Sequence, residues 1–221
     1  MIYAAHRHRL FDANRPRQPM GWAKALLWMS IVTALLWVVE IVNHFDDHGL
    51  NRFGLRPRRV DGLGGILVSP VLHAGFWPVA STTAPFLLLG WGVLLSGVRI
   101  WALVTGTVVI LGGTLTWLVA PSGLIVGASG LVFGWLGYLL ARAWFSRKIV
   151  WIIGAICAAL FFSSLFSGLL PRLHSEVSWP AHVCGFAAGI FVGWLLHPRK
   201  QKTPRPRTER TSTERTRGPK A

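Results

Sequence analysis

Long apolar runs alternate with short polar breaks along this chain. A helix that crosses a bilayer needs about 20 consecutive, mostly apolar residues. Six stretches reach that length: Trp22–Phe45, 72–96, Val98–Val119, 125–145, 149–170 and 179–197. The second and third are separated only by Gly97 and Arg99, so that boundary is soft. The apolar run at 63–72 is too short to span and falls inside a long first loop, 46–71. The pattern predicts an all-α membrane protein. A polar arm at 1–21 precedes a six-transmembrane-helix bundle over 22–197, and a polar tail at 198–221 follows it.

Composition agrees with the pattern. Of the 221 residues 52% are hydrophobic and only 14% are charged, with a mean hydropathy of +0.47. Soluble domains carry about 25% charged residues, which excludes both a soluble and a disordered chain. Twelve Trp and 24 Gly fit membrane helices, where Trp marks interfaces and Gly permits close packing. The polar start, an overlong apolar run and no small-x-small site after it argue against a cleaved signal peptide.

The net charge of +15 is concentrated and therefore informative. The tail alone holds nine Lys/Arg against Glu209 and Glu214. With the N-terminus inside, 18 of the 23 Lys/Arg fall in inner segments. The positive-inside rule then gives both termini as cytoplasmic. The outer segments keep Arg52, Arg56, Arg58 and Arg59, partly offset by Asp46, Asp47 and Asp61, and Arg172. The tail reads as a disordered basic arm against the anionic inner leaflet of the cell membrane. It has no aromatic residue to stack on a base, so no nucleic-acid partner is expected. Cys157 and Cys184 lie in apolar runs and form no C-x-x-C pair, giving neither a disulfide framework nor a metal site. His6 and His8 read as a solvated pair. No cofactor is implied, and the sequence is silent on oligomeric state.

Orientation constrains the chemistry. The second, fourth and sixth stretches all enter from the outer face. The fourth opens with Gly127-Ala128-Ser129-Gly130, and the sixth carries Pro180-Ala181-His182. Ser129 and His182 should therefore lie one to two turns below the same surface, on helices running the same way. A nucleophile and its general base require that arrangement. Gly185, Gly189 and Gly193 form a small-residue stripe below His182, and Gly130, Gly134 and Gly137 give the fourth stretch a small face too. Such faces let helices approach closely. Glu40, late in the first stretch, and Glu176 in the last outer loop read as interfacial residues. With no carboxylate in the fourth or sixth stretch, a Ser-His dyad is the shape that remains. Phe133, one turn after Ser129, is of a type to stack on the imidazole.

These residues resemble the rhomboid family of intramembrane serine proteases. The shared features are six spans, G-x-S-G at the head of the fourth and A-H-x-x-G-x-x-x-G at the head of the sixth. Here the motifs read Gly127-Ala128-Ser129-Gly130 and Ala181-His182-Val183-Cys184-Gly185 with Gly189. The resemblance covers roughly residues 20–197. It implies Ser129 as nucleophile, His182 as general base and acid, and Phe133 against the His. It also implies a first loop partly in the outer leaflet. Substrates would be transmembrane segments of other proteins, admitted laterally and cut near the outer face.

The second stretch departs from the family pattern H-x-x-x-x-H-x-x-x-N, whose second His and Asn donate to the oxyanion. His73 matches the leading His, but Pro78 and Thr82 occupy the two donor positions. Proline has no donor, and Thr82 offers only a short hydroxyl. The Ser129 N–H near a helix start remains as one oxyanion donor, with Thr82, Ser81 or the Trp77 N–H as candidate second donors. The alternative is a rhomboid-like pseudoprotease that binds membrane helices without cutting them. A transporter or channel is disfavoured, because there is no internal repeat and no line of intramembrane charge.

Overall fold

A computed structural model describes residues 20–146 and 179–196. The N-terminal arm, the fifth apolar stretch at 149–170, Cys157, Arg172, Glu176 and the basic tail lie outside the described residues. Within the described residues the chain is helical, and the one β-bridge is the isolated antiparallel pair Leu55–Ile125.

Helix α1, Trp22–Phe45, has the bounds its apolar run predicts. It ends where Asp46 and Asp47 enter and the backbone turns left-handed at Asp47 and His48. One face carries Ala25, Met29, Leu36 and Glu40 into the interior, while Leu27, Trp28, Ile31, Leu35, Val38 and Ile41 are exposed. An apolar face of this extent is incompatible with water and suited to lipid. The buried Thr33 hydroxyl is satisfied by donating to the Met29 carbonyl at 2.7 Å.

The first loop holds the short helix α2, Gly65–Val68, between 3₁₀ turns at Gly49–Phe53, Val60–Gly62 and Ser69–Val71. Helix α3 then runs over Phe76–Leu94, shorter at its start than the apolar stretch from 72. Gly75, at φ 132°, redirects the chain and leaves Leu72 and His73 in the loop. Gly97, at φ 105°, makes the turn into the next helix. That settles the soft boundary, and Arg99 lies inside the following helix.

Helix α4 spans Val98–Val119 and contains a π-helical turn at Val108–Gly112. The Thr116 hydroxyl donates to the Gly112 carbonyl at 2.8 Å, so this buried side chain is satisfied one turn back on its own helix. Helix α5 is Ser129–Ser146 and helix α6 is Trp179–Leu195. By length and composition α1, α3 and α4 are fit to cross a membrane.

The core forms around α5, whose residues from Leu131 through Leu139 are all buried. Helix α3 packs on one side of it and α6 lies along it closely, with the π turn of α4 packed against both α5 and α6. Trp135 is fully buried against Phe86, with ring centroids 4.9 Å apart, and donates to the Thr105 hydroxyl at 3.1 Å. At the other end of α5 the Arg142 guanidinium donates to the Ser96 hydroxyl, tying the helix to the turn between α3 and α4.

Close approach of α5 and α6 depends on glycine. A Cβ at Gly185 would overlap the Gly130 carbonyl oxygen, and one at Gly189 would overlap that of Gly134. The two small-residue faces seen in the sequence therefore meet each other, backbone against backbone.

Candidate active site

Ser129 and His182 come together at one end of the α5–α6 contact. His182 Nε2 lies 2.8 Å from Ser129 Oγ. The Phe133 ring stacks on the imidazole with centroids 4.3 Å apart and planes 23° apart. His182 is buried, while Ser129 is partly accessible. Gly127 turns the chain at φ 123° just before Ser129, and Gly130, Gly185 and Gly189 bring the α5 and α6 backbones together.

Ser129 is the first residue of α5, rather than a turn inside a helix beginning at 125. The residues before it are kept extended by the first loop. Leu55 and Ile125 exchange both backbone N–H···O bonds, at 3.0 and 2.9 Å, and the Gly127 N–H donates to the Ser69 carbonyl at 2.9 Å. The loop is pinned to the end of α4 as well. The Arg58 N–H donates to the Trp117 carbonyl at 3.0 Å, the Trp117 indole N–H donates to the Arg59 carbonyl at 2.9 Å, and the Arg58 guanidinium donates to the Ala120 carbonyl. As the first residue of its helix, Ser129 presents an N–H with no carbonyl partner one turn back.

His73 is buried beside the preceding peptide, Gly127–Ala128. Its Nε2 accepts the Ala128 N–H at 3.4 Å and lies 3.5 Å from the Thr82 hydroxyl. Thr82 also reaches the carbonyls of Pro78 and Val79 in its own helix, at 3.0 and 3.1 Å. Of the three alternative donors, Thr82 is the one beside His73. The Ser81 hydroxyl donates to the Pro78 carbonyl at 2.9 Å, and the Trp77 side chain stands out from the protein, 81% exposed.

Burial pushes the His73 pKa down to about 4, against a weaker upward pull from the Val71 carbonyl. A neutral ring is what an acceptor at Nε2 requires. The unfolded chain takes up its proton near pH 6.5, before the folded one does. The His73 contribution is therefore fully present above pH 6.5 and is lost as pH falls toward 4. Thermal unfolding in detergent should show the midpoint dropping across this window, with a shallower drop in His73→Gln. An equally steep drop in the variant would remove His73 from the account.

The sequence reading missed two residues and misplaced a third. Asn43 and Asn51 both donate through Nδ2 to the His73 carbonyl oxygen, each at 3.1 Å. A lone Asn in the last turn of an apolar helix was the available signal. Glu40 is fully buried instead of interfacial, with His48 Nε2 3.3 Å from its Oε1. It shares its inward helical face with Leu36 and Asn43, while the neighbouring exposed positions Leu35, Val38, Ile41 and Val42 are apolar.

Comparison with known proteins agrees with the geometry. A family model described as the Rhomboid domain matches residues 62–199. An uncharacterized protein of Mycobacterium leprae is 37% identical over 195 residues, covering 81% of this chain and 77% of that protein. An uncharacterized protein of Mycobacterium tuberculosis is 34% identical over 197 residues, covering 86% of this chain and 80% of its own length. The RHOMBOID-like protein 4 of Arabidopsis thaliana is 34% identical over 90 residues, 38% of this chain and 21% of that protein.

Proposed function

The chain belongs to the rhomboid family, and from that premise we propose that it is an intramembrane serine protease cutting transmembrane segments of other membrane proteins. The observation that carries this reading is the 2.8 Å separation of His182 Nε2 and Ser129 Oγ under the Phe133 ring. In this mechanism Ser129 Oγ attacks the scissile carbonyl as its proton passes to His182 Nε2. The oxyanion faces the Ser129 N–H and the Thr82 hydroxyl. Collapse expels the amine, which takes the proton from His182. Water then attacks the acyl ester and gives a proton to His182; collapse breaks the ester bond, Ser129 Oγ takes that proton back from His182, and the carboxylic product leaves.

The same reading sets the architecture. Six helices over 22–197 cross the cell membrane with both termini cytoplasmic, and the basic tail at 198–221 lies against the inner leaflet. The dyad then opens to the outer face, and substrate helices enter laterally from the lipid.

One observation favours a second reading, a pseudoprotease that holds membrane helices without cutting them. Pro78 supplies no donor, and the Thr82 hydroxyl lies within reach of two carbonyls of its own helix. Loss of one oxyanion donor typically costs about 10²–10³ in rate.

Labelling of the detergent-solubilised protein with a fluorophosphonate probe decides between them and needs no known substrate. The protease reading expects wild type to label and Ser129→Ala to lose labelling entirely, since the attacking atom is gone. His182→Ala should fall by about 10²–10⁴ with loss of the general base. A folded wild type that does not label, even after long exposure, favours the pseudoprotease.

A further inference from the structure

The peptide that precedes Ser129 is held at a distance by the end of α1. Asn43, fully buried in the last turn of that helix, uses its whole amide. Its Oδ1 accepts the Leu50 N–H at 3.1 Å, and its Nδ2 donates to Asn51 Oδ1 and to the His73 carbonyl, both at 3.1 Å. Asn51 Nδ2 gives the His73 carbonyl a second donor, also at 3.1 Å. Both lone pairs of that carbonyl are then occupied. On its other side His73 accepts the Ala128 N–H through Nε2. A polar group at the end of an apolar helix is costly unless satisfied, and here its satisfaction terminates one residue from Ser129.

We propose that Asn43 and Asn51 form a clamp that fixes His73 and, through it, the orientation of the Gly127–Ala128 peptide, next to the peptide that carries the Ser129 N–H. They are positioning residues, since neither touches the reacting atoms. The clamp matters more here than in a site with several side-chain donors. With Pro78 and Thr82 at the donor positions, the Ser129 N–H carries a larger share of oxyanion binding, and its direction depends on the adjacent Gly127–Ala128 peptide that the clamp holds. The consequence for reactivity rests on the reading of Ser129 as nucleophile. The consequence for the peptide itself does not.

Two measurements on the full chain in detergent separate these consequences. Asn51 is only partly buried, so Asn51→Ala is the variant expected to fold, with Asn51→Gln restoring a donor on a longer stem. The first measurement is hydrogen exchange at the Gly127 and Ala128 amides. Asn51→Ala should speed exchange there while α6 amides keep their wild-type rates, and Asn51→Gln should recover part of the protection. The second is fluorophosphonate labelling over a range of probe concentrations. Asn51→Ala should lower the maximal labelling rate about tenfold, the worth of a well-placed hydrogen bond, without shifting half-saturation.

Unchanged exchange at Gly127 and Ala128 overturns the clamp. So does faster exchange spread evenly over the whole protein, which would make Asn51 merely structural. Local acceleration with an unaltered maximal labelling rate, in a wild type that labels, also overturns it. Should wild type not label at all, the protease reading fails, and local exchange alone decides the clamp.

Discussion

Pro78→His combined with Thr82→Asn is expected to raise the labelling rate of Ser129 about 10²–10³-fold, the usual worth of an oxyanion donor. Positions 78 and 82 lie four apart, so they share one face of α3. That face is turned toward the segment just before the nucleophile, because Thr82 Oγ1 is 3.5 Å from His73 Nε2, which accepts the Ala128 N–H. In wild type this face offers one hydroxyl proton with carbonyls of its own helix in reach. In the double variant it offers an imidazole N–H and two amide protons on longer stems. Each single variant should give a smaller gain, and the two gains need not multiply, since the donors converge on one oxygen. The measurement is the labelling rate of each variant beside the same variants carrying Ser129→Ala, which should stay dark. A folded double variant with a rate within twofold of wild type would sink the view that missing oxyanion donors limit this site.

Gly189→Leu should separate α5 from α6. A Cβ at this position already overlaps the Gly134 carbonyl oxygen, and three further carbons have no space between two helix backbones. Overpacking costs about 1–3 kcal/mol where side chains can move aside. Here the obstacle is backbone, so a cost of about 3 kcal/mol or more is expected, roughly 6–12 °C in the unfolding midpoint. His182 lies two turns before Gly189 on the same helix, so parting the helices also lengthens its 2.8 Å reach to Ser129, and labelling should vanish. Gly106→Ala is the matched control. Nothing lies within 4 Å of a Cβ there, and removing a helical glycine should stabilise by about 0.5–1 kcal/mol. Gly189→Leu labelling and unfolding like wild type would show that the tight contact is not what holds the dyad.

Much of the site was legible because its parts are local in sequence. Gly127-Ala128-Ser129-Gly130 and Ala181-His182 with Gly185 and Gly189 are short motifs. A shared entry side and complementary small faces then predict that they meet. Helical spacing puts Phe133 on the Ser129 side of its helix, and the family resemblance implied its packing on His182. The bounds of α1 were readable for a similar reason, since polar residues flank an unbroken apolar run. The start of α3 was not. Leu72 is apolar but sits in the loop, because Gly75 turns the chain and the His73 carbonyl is drawn to Asn43 and Asn51. The start of α5 was missed on the same grounds: the Leu55–Ile125 pair holds residues that hydropathy assigns to a helix.

Composition, apolar periodicity and short motifs thus determined a helical membrane protein of this family and the pair Ser129 and His182. Those properties depend on residue type and on spacing along one helix or between two glycine-rich ones. The tertiary structure alone decided which helical face each polar residue takes. It buried Glu40 where hydropathy left it interfacial. It set Thr82, but not Ser81 or Trp77, beside His73. It joined Asn43 and Asn51 to a carbonyl 22 or more residues away. A hydrogen bond between distant segments leaves no period in the sequence, because its partners are brought together by the packing of the intervening chain.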